Sequence, residues 1–139
     1  MDTDTIKTIE FAALPELGAT LEGGKFYGVT TLKDGTHAAV ILLPNKAQER
    51  MTWDRATTWA SEAGGVLPSR PVSALLYANA KDQFEPIWYW TSETLDADTG
   101  DKDDASYAWG CDFDYGYQDD DHESYDGSAV AVRMIPLVL

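Results

Sequence analysis

The chain has 139 residues, 44% of them hydrophobic, with a formal net charge of −14. That size fits one core burying ~65–70% of the unfolded surface, and the apolar content excludes disorder for most of the length. The charge excludes nucleic-acid binding through phosphates, since each such contact needs a cation, and an anionic membrane surface would repel the chain.

Residues 1–23 are weakly patterned, with Pro15 and Gly18 breaking any long element, and are expected as an arm or first strand. Residues 25–31 and 37–43 flank Lys33-Asp34-Gly35-Thr36, whose Asp-Gly pair signals a β-hairpin. The apolar run 38–43 is too short to span a bilayer, so no membrane insertion is expected. Thr52 opens a helix over 52–63 as an N-cap, with Asp54 in the first turn where the dipole favours it. Trp53, Ala56, Trp59, Ala60 and Ala63 share one face of this helix. Gly64-Gly65 and Leu67-Pro68 stop it, and Ser69 or Arg70 caps a second helix over 70–80. A buried strand over 87–92 carries Trp88, Tyr89 and Trp90. Residues 94–105 read as a polar loop without core residues after Leu95. From Trp109, aromatic and polar residues alternate through Cys111, Phe113, Tyr115 and Tyr117, the pattern of one half-buried strand. A turn over 119–123 and a last apolar strand over 128–139 complete a single domain, residues 1–139, with no repeat or linker.

The order T-W-x-x-A-x-x-W-A, then G-G-x-L-P-S-R, L-L-Y-A-N and W-Y-W-T-S resembles the DUF1566 family, also called the Lcl C-terminal family. The resemblance resumes at Ala108-Trp109, runs through Asp114-Tyr115-Gly116-Tyr117 and closes at Val130-Ala131-Val132-Arg133. It implies an α+β, C-type-lectin-like fold: two helices packed on small antiparallel sheets, with a long loop after Trp90-Thr91-Ser92. It also implies a binding surface rather than a catalytic centre, and families of this kind are frequent in phages and prophages. One departure is Val72, where the family usually carries an acid.

Between Glu93 and Asp126, thirteen acids face one base, Lys102, so −12 of the −14 lies there; eleven acids and nine bases leave −2 elsewhere. In the lectin fold the loop at 94–105 is the ligand-binding region. The candidate ligand-binding acids are therefore Asp96, Asp98, Asp101, Asp103 and Asp104, then Asp112 and Asp114, then Asp119, Asp120 and Asp121. Tyr107, Tyr115, Tyr117 and Tyr125 lie within or beside them, and the amphipathic phenol ring suits a contact surface. The competing reading is a pair of solvated loops that keep an aromatic-rich chain soluble. The partner is expected to be a protein or surface ligand of basic or cationic character; nothing fixes the oligomeric state.

No cofactor is expected. Asp96-Ala97-Asp98-Thr99-Gly100-Asp101 opens like a calcium loop, but glycine stands at the third ligand position and no glutamate at the twelfth. No enzyme is expected either. His37 and His122 have no zinc or triad spacing, and Cys111, the one cysteine, reads as a buried structural thiol. Asp112 and Asp114 would sit ~7 Å apart on one strand face, as in many inert strands. The five tryptophans read as core, and Arg133 as an inward partner for a carboxylate. A single cysteine and no basic-then-apolar leader suit a reducing cytoplasm, or a virion assembled there. Two functions remain: a lectin-like binding module, or an acidic inhibitor that mimics nucleic acid and occludes a basic host protein such as a defence nuclease.

Overall fold

The computed structural model describes residues 7–139, so the first part of the expected arm, residues 1–6, lies outside the described residues. The described residues are α+β, with two sheets and three α-helices. In order come β1 (Ile9–Glu10), β2 (Thr20–Leu21), β3 (Gly24–Thr31), β4 (His37–Leu42), α1 (Trp53–Glu62) and α2 (Arg70–Ala80). They are followed by β5 (Trp88–Thr94), α3 (Leu95–Thr99), β6 (Tyr107–Asp112), β7 (Gln118–His122) and β8 (Val132–Val138). The larger sheet has the order β1-β8-β4-β3-β2 and the smaller β5-β6-β7.

The hairpin forms where Asp-Gly placed it. The Asp34 carboxylate accepts the Thr36 N–H at 2.9 Å, and the Leu32 N–H closes on Thr36 O at 2.8 Å. Beyond the turn, β4 is buried from Ala38 to Leu42, because both faces of the larger sheet are covered. Ala39 and Ile41 join α1's Ala56 and Ala60, with Trp90 and Ala108, in one core cluster. Val40 and Leu42 join α2's Val72, Leu76 and Ala80, with Tyr89, Cys111 and Phe113, in a second. Val72, the departure from the family pattern, is thus core.

Several expectations change. Thr52 precedes α1, but its side chain makes no capping bond; its carbonyl accepts the Ala56 N–H instead. The polar stretch 94–105 holds α3 and a 3-10 turn, Lys102–Asp104. The strand begun at Tyr107 ends at Asp112, because Asp112 accepts the Asp114 N–H at 2.7 Å and Gly116, at φ +84°, reverses the chain. The acids expected in a turn at 119–123 instead form most of β7. The last strand starts at Val132 rather than Ser128.

Candidate functional site: an acidic face fastened by Arg70

Ser69 caps α2 by accepting the Val72 N–H at 3.3 Å. The next free N–H, that of Arg70, donates to the Glu93 carboxylate at 2.7 Å, a charge placed where the helix dipole rewards it. This start fixes where the Arg70 side chain leaves the helix. Its guanidinium lies 3.6 Å from the centre of the Trp109 ring, its Nε donates to Gln118 Oε1 at 2.9 Å, and Nη1 lies 3.6 Å from Asp98. Gln118 Nε2 returns a bond to the Arg70 carbonyl at 2.8 Å. One residue thereby ties α2 to β5, α3, β6 and β7.

The acids of the 95–104 arm have divided duties. Asp98 faces Arg70. Asp101 accepts the Asp103 N–H at 3.0 Å, and Asp104 accepts the Thr99 hydroxyl at 2.7 Å, so both shape the 3-10 turn. Asp96 lies in the first turn of α3. The calcium-like spacing is therefore taken up by helix and turn, and among the described residues no group of three or more Asp, Glu, His or Cys is disposed to hold a metal ion.

On β7, the N–H of Glu123 bonds Ser106 O across to the loop before β6, so the odd-numbered residues face β6 and the even-numbered ones face out. Two of the outward donors are met by their neighbours: Asp119 accepts the Asp120 N–H and Asp121 the His122 N–H, each at 2.8 Å. The acidic strand thus meets two donors of its own free edge.

The register places Tyr107 opposite His122 and Cys111 opposite Gln118. Six residues of β6 span ~17 Å between end positions, so the expected residues do not meet at one point. At one end lie the arm, Tyr107, Asp121 and Tyr125. Tyr107 packs edge-on to His122 at 5.4 Å. Asp112, Asp114, Tyr115 and Tyr117 lie at the other end, and Asp119 and Asp120 run between. Asp112 and Asp114 are thus not a pair on one strand face. The turn turns Tyr115 out to 78% exposure and leaves Tyr117 exposed, so the inward alternation stops at Phe113. The Tyr117 phenol is raised above its ordinary 10.0 by hydrogen bonding to Asp112 and by that carboxylate's charge.

The arm's end also gathers acids that are far apart in sequence. Glu123 is held above its ordinary 4.5 by burial and then by the charges of Asp54 and Asp96. Its carbonyl accepts the Trp53 N–H at 3.0 Å, docking the start of α1 there. Sequence reasoning gave Arg70 and Asp54 helix roles alone and Glu123 a place in an acidic turn, and it missed Gln118 at this face altogether.

Elsewhere, Cys111 is buried and its thiol is pushed up to about 11 by burial and the charge of Asp112. Arg133 meets the carbonyls of Glu22 and Gly64 rather than a carboxylate. Trp90 is fully buried, while Trp53, Trp59, Trp88 and Trp109 are partly so. A groove of about 560 Å³ lies beside Arg70, between the end of β3 and the start of α2. Among the described residues no helix is long and apolar enough to cross a membrane. No protein-family model matches the chain, and no curated protein matches it in sequence.

Proposed function

We propose that the chain is a non-catalytic, C-type-lectin-like binding module of phage or prophage type, which meets a basic protein or cationic surface ligand with its acidic face. The observation that carries this reading is the arm itself. Asp101 and Asp103, with Tyr107 and Tyr125 beside them, are exposed on a segment that Arg70, through Asp98, joins to four other elements. A charged surface held still loses less entropy on binding than a mobile one. The chemistry elsewhere supports binding over catalysis: the thiol is buried and its pKa pushed up to about 11, and among the described residues the two histidine rings bond Thr31 and Ser124.

A second reading has one observation in its favour. The β7 acids form an extended row, with alternate carboxylates ~7 Å apart, as a phosphate mimic directed at a basic nuclease would present. A tagged pull-down from bacterial lysate at low and high salt separates the two. One basic nucleic-acid enzyme recovered at low salt only favours the mimic, because screening weakens a purely electrostatic complex. Envelope or virion material retained at moderate salt favours the module. The combined change of Asp101, Asp103 and Asp104 to Asn leaves the fold intact and weakens capture about tenfold or more; unchanged capture would clear the arm of any role.

A further inference from the structure

Beyond the far end of α2 the larger sheet is left without its cover. The helix follows β3: its start faces Thr30 and Thr31 across a groove, and further along Asn79 donates to Tyr27 O at 2.7 Å. It ends at Ala80, and one 3-10 turn, Lys81–Gln83, follows it. The strand reaches back to Lys25, which the register sets opposite Leu42 on one side and Thr20 on the other. Residues directly opposed in antiparallel strands share a face, and Leu42 belongs to the cluster that α2 covers. Lys25 therefore stands on α2's face where α2 has run out. The result is a cavity of about 420 Å³, within the ~300–1,000 Å³ range of small-molecule sites. Its floor is Leu42, Leu43 and Val130, all buried, and its rim carries Lys25, Lys46 and Gln83.

We propose that this cavity binds a small organic acid, with the carboxylate at Lys25 and Lys46 and an apolar body on Leu42 and Val130. The charge at the rim is uncompensated. No carboxylate lines the cavity, and among the described residues neither lysine pairs with one. The acids nearest to them in sequence are spent elsewhere: Glu22 bonds Lys7 at 3.0 Å and Glu49 bonds Arg55 at 3.2 Å. Asp82 and Glu85 line the adjoining hollow of about 350 Å³, on the other side of Lys46. Lys46 donates to the Gln83 carbonyl at 3.4 Å, which holds the ammonium at the rim and leaves it further protons to donate. The apolar floor calls for more than a bare inorganic anion. A net charge of −14 keeps large polyanions away, whereas a single carboxylate within the ~8–10 Å screening length responds to the two lysines. The cavity lies at the opposite end of α2 from Arg70, ~16 Å along the helix, so it is separate from the acidic face and either assignment can fail alone.

The test uses the whole chain, labelled with ¹⁵N, and three probes of one shape: phenylbutyrate, its neutral amide and the cationic phenylbutylamine. The acid shifts the amide signals of Lys25, Leu43, Lys46 and Gln83 saturably, the neutral amide binds about fivefold or more weakly, and the amine leaves these signals in place. Lys25→Met with Lys46→Met weakens the acid about fivefold or more, with circular dichroism unchanged because both side chains are exposed. Lys25→Arg keeps the charge and retains binding. Changing Asp101, Asp103 and Asp104 to Asn leaves the acid's affinity as it was, which separates this site from the acidic arm. The proposal is overturned if the acid causes no saturable shift up to its solubility limit, or if its shifts gather at the Arg70 groove instead. Equal affinity for acid and neutral amide, or a double variant that binds as the parent does, overturns it as well.

Discussion

Arg70 concentrates more structural consequence than any other side chain of the acidic face. Stacking on Trp109 contributes ~0.5–2 kcal/mol and the Gln118 bond ~1.5–3 kcal/mol. The Asp98 pair adds less, ~0–1 kcal/mol, because both side chains reach solvent. These overlap, and Arg70→Ala is expected to cost about 3 kcal/mol in urea unfolding, with amide exchange of residues 94–105 accelerating more than that of α1. Arg70→Lys recovers less than half, since a point charge cannot stack flat and also reach Gln118. An unchanged exchange pattern in the arm would refute the anchoring role. The sequence marks Arg70 as a helix start and nothing more, because its partners Glu93 and Gln118 lie 23 and 48 residues away, beyond any local spacing rule.

At the scale of elements, legibility follows locality. The hairpin, α1 and α2 were readable because Asp-Gly, Ser-Arg-Pro and the apolar spacing act within a few residues. The end of β6 was not, because Tyr115 and Tyr117 continue the alternation by accident through a turn. The cue was present in Asp112-x-Asp114 and Gly116, whose Asx bond and positive φ outweigh the pattern. β7 is harder still: a strand of consecutive aspartates opposes its own propensity and exists because β6 offers a ladder. Close approach rather than a turn explains Gly110. A Cβ there would collide with the Trp88 ring, which packs edge-on against Trp90 at 6.1 Å. Gly110→Ala is expected to destabilise by about 3 kcal/mol, read as a lowered denaturation midpoint with quenched or shifted tryptophan emission. A midpoint within experimental error of the parent would show that the β5–β6 contact yields freely.

For the whole molecule, charge sets the response to pH. Glu123 has a folded value raised above 4.5, so the native state holds its proton more tightly than the unfolded chain. Its contribution is greatest below 4.5 and is lost as pH rises through the folded value. Self-repulsion among a net −14 works in the same direction. Asp34, held below its ordinary 3.8 by the Thr36 N–H, acts oppositely, but only once pH falls below 3.8. The Tm is therefore expected to rise as pH is lowered from about 7 toward 5, and to rise with salt at neutral pH; a scanning-calorimetry series with the reverse slope would contradict this. The α+β class was legible, since two helices and alternating strands are local facts. That β1 pairs in parallel with β8, joining the start of the described chain to its end, was not, because no residue near either carries a mark of the other.

The carboxylates that cover β7 also bear on assembly size. A molecule with adhesive strands at two margins can add neighbours indefinitely and grow into a filament. Here the aspartates cap the β7 margin of the smaller sheet with the chain's own atoms. A strand approaching that margin meets carboxylates and N–H groups already bonded, so growth by strand addition is blocked there.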